Sequence, residues 1–194
     1  MDINKRIIKH FKDSAELKLK VKDALAKPIA EGAQIFFDCV TNDGKILCCG
    51  NGGSAADAQH FAAEFVGKFR HDRRPYPAIA LTTDTSILTA WSNDQHFDSV
   101  FGRKIEALGT KGDVLVVFST SGNSNNIIHA IDIAHENGLH TIAFLGKDGG
   151  RAKGKAHYEI IVPSDDTPRI QEVHVLLLHI VAEEVERRLV ENEQ

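Results

Sequence analysis

The chain has no long hydrophobic run, no CxxC pair and no excess of basic charge. Each absence removes a class of function. No apolar stretch approaches the roughly 18 residues that read as a membrane span, so no membrane role is expected. The first twenty residues are amphipathic and lysine-rich, but they carry Asp2, Asp13 and Glu16 and lack the apolar core of a secretion signal. The three cysteines, Cys39, Cys48 and Cys49, form neither a disulfide framework nor a zinc-thiolate spacing. They read as buried, reduced thiols of a cytoplasmic protein. A formal net charge of −4 offers no general attraction for nucleic acid or an anionic surface. The lysine-bearing P-loop pattern is missing, which leaves ATP chemistry without its usual cradle. No repeat, low-complexity segment or long linker is visible, so residues 1–194 read as a single domain with a full core.

What is present centres on Lys45 to Phe65. Ile46 to Cys49 is a short apolar run suited to a buried strand. Gly50-Asn51-Gly52-Gly53-Ser54 is a small, flexible turn, and Ala55 to Phe65 has the alanine density of a helix. Strand, glycine turn and helix together bring backbone N–H groups and a helix N-terminus to an anionic ligand. On that helix His60 and Glu64, at i and i+4, share a face.

Around this stretch the chain alternates. An N-terminal helical extension over about 1–43 is predicted as two helices. The first carries an apolar stripe (Ile7, Ile8, Phe11, Ala15, Leu17, Leu19, Val21) and is broken at Pro28; the second ends near Asn42-Asp43-Gly44. Further strands are predicted at 78–81, 114–118, 141–145 and 158–162. Helices are predicted through Ile87 to Trp91, over 97–108, through Ile127 to Ala134 and over 168–190. Val114 to Phe118 is apolar at every position, as in the interior of a parallel sheet. Five short strands alternating with helices define an α/β domain with a parallel sheet, whose ligands bind beyond the carboxyl ends of the strands. Both the 50–54 and the 119–124 turns fall on that edge.

Three sets of residues could carry chemistry. Ser119, Thr120, Ser121 and Ser124 put four hydroxyls at a helix N-terminus, suited to a phosphate ester or, more plainly, to an N-cap and tight turn. His60 and Glu64 could share a divalent metal, or be an ordinary surface pair. On the last helix, Gln171, Glu172, His174 and His179 accompany an apolar segment in which buried histidines need partners. Gln171 and His179 are about 12 Å apart along that helix and about 80° apart around it, so a shared ion would require them to lean together. The basic stretch Lys68 to Pro75 could attract an anion or simply be solvated. His10, His71, His96, His129, His135, His140 and His157 read as surface or structural.

Three motifs in order, Cys49 to Glu64, Ser119 to Ser124 and Arg169 to His174 with His179, resemble the bacterial phosphoheptose isomerase family of the sugar isomerase (SIS) superfamily. Asn93-Asp94 and the segment 145–150 extend the likeness to nearly the whole chain. The resemblance implies a flavodoxin-like three-layer α/β/α sandwich with a five-stranded parallel sheet, assembled as a homotetramer. It implies interconversion of sedoheptulose 7-phosphate and D-glycero-D-manno-heptose 7-phosphate, the first step towards ADP-heptose and the lipopolysaccharide core. Under it, Asn51, Gly52, Gly53, Glu64, Asn93, Asp94, Ser119, Thr120, Ser121, Ser124 and Gln171 bind substrate. His60, Glu64, Gln171 and His179 bind zinc, one per subunit, and Glu64 with His179 form the catalytic pair. A non-enzymatic relative, the DnaA initiator-associating protein, is the alternative. Its pattern lacks counterparts of Glu64 and His179 and has arginine in place of Ser121, whereas this chain carries all three enzyme-type residues. Pro168, just before the last motif, bears on how Gln171 enters the last helix.

Overall fold

The structure, a computed structural model, describes residues 2–192. Strands β1 (Ile46–Gly50), β2 (Ala78–Ala80), β3 (Val114–Ser119), β4 (His140–Gly146) and β5 (Tyr158–Val162) form one sheet in the order β2-β1-β3-β4-β5. Every pairing is parallel. Helices α1 (Ile3–Thr41), α2 (Gly53–Val66), α3 (Thr85–Asp94), α4 (Val100–Leu108), α5 (Asn125–Glu136) and α6 (Thr167–Asn192) complete a three-layer α/β/α sandwich.

The period of two along each strand divides the interior. Ile46, Cys48, Val114, Val116, Phe118, Ile142 and Phe144 point into one core, packed with residues of α1, α2 and α6. Leu47, Cys49, Leu115, Val117, Ala143 and Leu145 point into the other, with α4 and α5. Both faces are covered, which explains why β1 and β3 are apolar at nearly every position. Strand order turns back between β1 and β3, and the loops leaving these two strands meet at the carboxyl edge. That is the switch point where ligands bind in open α/β sheets.

The predicted break at Pro28 does not occur: α1 is one helix of 39 residues with Pro28 inside it. Leu17, Val21, Leu25, Ile29 and Ala33 recur every fourth position and continue into Phe36 and Val40, all in the core shared with α6. Proline costs a helix one hydrogen bond and a steric clash, about 3 kcal/mol. Ala24, whose carbonyl loses its donor, lies on the exposed side where water can replace it. Packing on α6 continues on both sides of the proline and outweighs the local penalty. The predicted stripe also reaches too far: Ile7, Ile8 and Phe11 are exposed, together with Ile3 and Leu19. Residues 97–108 begin with a 3-10 turn, Phe97–Ser99, before α4.

Pro168 falls in the first turn of α6, where a missing N–H is harmless. The helix therefore starts cleanly, and its last motif keeps helical spacing.

Candidate active site

The turn after β1 is shaped by its glycines. Gly52 has φ +57° and ψ −122°, a conformation closed to residues with a Cβ. At Gly53 a Cβ would come 2.4 Å from Gln171 Nε2, so the absence of a side chain lets the amide of Gln171 lie over the start of α2. Between the turn after β1 and the start of α5, Asn51 and Asn126 exchange side-chain hydrogen bonds of 2.8 and 2.9 Å. Asn126 is buried in the first turn of α5, so this amide pair fastens the glycine turn to the loop after β3.

Two turns further along α2, His60 and Glu64 meet His179 of α6. His60 Nε2 lies 3.0 Å from Glu64 Oε1 and 3.2 Å from His179 Nε2. Ligand atoms of the three residues all fall within 4.8 Å of one another. Two imidazole nitrogens facing each other at 3.2 Å can be satisfied by one shared proton or by a cation. With metal–nitrogen bonds of about 2.0–2.1 Å, neighbouring ligands of a tetrahedral zinc stand about 3.3 Å apart. The two contacts of His60 Nε2 are within a few tenths of an ångström of that spacing, and the donor set of two imidazoles and a carboxylate suits zinc. With the third separation bounded at 4.8 Å, the trio offers three ligands that a small side-chain shift would close on a divalent ion. Gln171 carries its amide over the start of α2. Its place over Gly53 is seven residues, about 10 Å, back along α2 from His60.

The loop after β3 is built to leave hydroxyl protons free. Ser119 Oγ accepts from the Gly122 amide at 3.1 Å, and Ser121 Oγ accepts from the Asn123 amide at 3.2 Å. An oxygen that accepts from the backbone keeps its own O–H to donate. Ser124 is the N-cap residue of α5, yet its hydroxyl makes no capping hydrogen bond. Thr120 is half-buried beside them. The loop is clamped from behind: the Gly122 carbonyl accepts from Ala152 N at 2.9 Å, and a Cβ on Gly122 would strike the Gly149 carbonyl. Several hydroxyl donors at a helix N-terminus make an anion site.

Asn93 and Asp94 end α3, exposed and hydrogen-bonded to each other at 2.9 Å. His174 is fully buried between Phe118 and Phe144, with Nε2 on the Leu145 carbonyl at 3.1 Å. Burial pushes its pKa down to about 4, against the opposing pull of the hydrogen bond to the Leu145 carbonyl. It is a neutral core residue, whereas His179 faces the site. The cysteines are free and buried. Burial pushes the Cys39 thiol up to about 12 and raises the other two as well. The basic stretch from Lys68 does hold an anion, and it is the chain's own: Glu186 accepts from the amides of Phe69, Arg70 and His71. Asn126, Arg73 and Glu186 have no mark in the sequence beyond ordinary polarity, and only the packing reveals their contacts with the Asn51 turn and the end of α2.

The order of strands and the paired loops at the carboxyl edge define a parallel α/β domain with a ligand edge, and residues 9–146 match the SIS domain family. Over nearly its full length the chain belongs to the phosphoheptose isomerases and is an isomerase. It is 48% identical over 192 residues to the phosphoheptose isomerase of Dechloromonas aromatica, covering 97% of this chain and 98% of that one. The solved phosphoheptose isomerase of Neisseria gonorrhoeae superposes with a TM-score of 0.90 at 46% identity, over 96% of this chain and all of that one. That of Francisella tularensis gives 0.93 at 37% identity, with the same coverage.

Proposed function

We propose that the chain interconverts sedoheptulose 7-phosphate and D-glycero-D-manno-heptose 7-phosphate, the first step towards ADP-heptose and the lipopolysaccharide core. The observation that carries this reading is the convergence of His179 of α6 with His60 and Glu64 on the helix that leaves the glycine turn, in a chain about half identical to named isomerases.

In this reading the phosphate rests on Ser119, Thr120, Ser121 and Ser124, and the sugar lies along Asn51, Gly52 and Gly53. Asn93 and Asp94 also contact substrate, and Gln171 faces it from above Gly53. Aldose–ketose interconversion moves one proton between two carbons and another between their oxygens, through an enediol. Glu64 and His179 divide those transfers. They come from different helices and present their polar atoms within 4.8 Å of each other, so both can face the same pair of substrate carbons from one side. Phosphate binding far from the reacting carbons supplies positioning for the chemistry. His60, Glu64 and His179 hold one zinc per subunit, with Gln171 as the fourth ligand. Bound there, the metal would polarise the carbonyl.

The protein works in the cytoplasm as a homotetramer. Ile3, Ile7, Ile8 and Phe11 expose apolar surface on α1, and an apolar groove of about 330 Å³ lies between α1 and α6. Copies of the chain would cover both. No helix among the described residues is long and apolar enough to cross a membrane.

The test is an isomerase assay on sedoheptulose 7-phosphate with zinc supplied, using the unmutated protein and Glu64→Gln. Turnover in the first and a loss of about 10²-fold or more in the second is expected. Equal rates would remove Glu64 from the chemistry, and no turnover in either would favour the regulator.

A further inference from the structure

The metal and proton-transfer reading needs α2 and α6 to stand at a fixed separation, because His60 and Glu64 come from one and His179 from the other. We infer that the buried ion pair Arg73–Glu186 sets that separation and is the positioning element of the site. This rests on the reading of the trio given above.

Arg73 Nε lies 3.1 Å from Glu186 Oε1, and the two side chains are 3% and 2% exposed. Such a pair is costly to desolvate and persists only where its remaining hydrogen bonds are met. Here they are met by the two ends of the site. Arg73 Nη2 donates to the Glu64 carbonyl at 2.7 Å, and Nη1 donates to the carbonyls of Phe65 at 3.0 Å and Gly67 at 3.3 Å. The guanidinium therefore caps the C-terminal end of α2 at the very residue that supplies the carboxylate of the trio. The opposite partner, Glu186, is seven residues beyond His179 on α6. That is two turns along nearly the same face.

The second link runs through the loop. Glu186 Oε1 accepts from Phe69 N at 2.9 Å, and Oε2 accepts from Arg70 N at 2.7 Å and His71 N at 3.0 Å. Burial alone would raise the pKa of this carboxyl, but the three amides and Arg73 hold it below the ordinary carboxylate value. Fixing the Phe69 backbone restrains its ring, whose centroid lies 5.7 Å from that of His179. The same carboxylate thus braces His179 through Phe69 and Glu64 through Arg73. Neither Arg73 nor Glu186 is among the trio's ligands, so both act through other residues.

Three variants test this in the full-length protein: Arg73→Lys, which keeps charge but not the fork, Glu186→Gln, and the milder Phe69→Leu. Each is measured for thermal unfolding, zinc affinity by chelator competition, and kcat and KM. For the two ion-pair variants we expect zinc affinity and kcat to fall about tenfold or more while KM changes less than about threefold. Outer supports of metal sites have effects of this size. Phe69→Leu should lower zinc affinity several-fold without moving the melting temperature. Folded variants with normal zinc affinity and normal kcat would overturn the inference, leaving the pair as a stability element. If both ion-pair variants fail to fold, an unaltered zinc affinity and kcat in Phe69→Leu overturns it. If the unmutated protein binds no zinc at all, the metal reading falls, and an unchanged kcat in the variants then overturns the positioning role separately.

Discussion

Asn51 and Asn126 face each other across the carboxyl edge of the sheet and exchange two side-chain amide hydrogen bonds, at 2.8 and 2.9 Å. One residue belongs to the glycine turn after β1 and the other to the first turn of α5. The two loops that would share a sugar phosphate are therefore one unit. Asn126→Ala should separate them. With a buried partner lost, stability should fall by about 1–3 kcal/mol. KM for the heptose phosphate should rise roughly tenfold, with a smaller change in kcat. Urea unfolding and steady-state kinetics check the two halves. A KM that stays at the unmutated value would show that the loops are positioned independently.

Ser124 distinguishes phosphate binding from helix capping. Its hydroxyl caps nothing, so Ser124→Ala should change stability by less than about 0.5 kcal/mol. A hydrogen bond to a charged group is worth about 1.5–3 kcal/mol, so KM should rise by roughly ten- to a hundredfold. Inhibition by inorganic phosphate should weaken by a similar factor, because the lost contact is made to the phosphate alone. A stability loss near about 1 kcal/mol with an unchanged KM would return Ser124 to the role of N-cap.

Gln171 is the test of how the ligand set is divided. Its amide rests against Gly53, about 10 Å along α2 from the position of His60. Gln171→Ala should therefore raise KM and weaken zinc binding less than His60→Ala does. Metal content after dialysis against a chelator, compared across the two variants, gives the answer. Equal metal loss in both would mean that Gln171 holds the ion no less firmly than the histidine does.

The sheet is legible in the sequence because its strands are short apolar runs bounded by glycine, serine and proline turns, and because both faces are buried. The helical extension is not legible at Pro28, where a local rule meets a packing stripe that continues every four residues against α6. At the site, His60 and Glu64 can be paired by their spacing on one helix. Their meeting with His179 cannot, since it depends on how α2 and α6 pack. His174 and His179 show the limit most clearly. They lie five residues apart, which rotates them by about 140° around the helix. One turns under β4 into the aromatic core and the other turns towards α2. The Arg73–Glu186 pair joins residues far apart in the chain, and charge alone is no reason to couple them.

The buried His174 makes the fold sensitive to acid in a defined direction. Its pKa falls from 6.5 to about 4 because burial disfavours the imidazolium, and its Nδ1 has no hydrogen-bond partner among the described residues. The unfolded chain therefore binds a proton that the folded chain refuses. Its contribution to stability is complete above the unfolded pKa of about 6.5 and is lost as pH falls towards 4, by roughly 3 kcal/mol. Asp57 acts oppositely: burial raises its pKa to about 6, with His60 pulling the other way, so its folded form gains protons in the same acidic range. The total acid response mixes the two. The difference between the unmutated protein and His174→Phe removes the Asp57 part, since both proteins carry it. Urea unfolding of both at about pH 7 and about pH 4.5 should show the unmutated protein losing more stability than the variant. If the two lose stability equally between those pH values, His174 is not the group that refuses the proton.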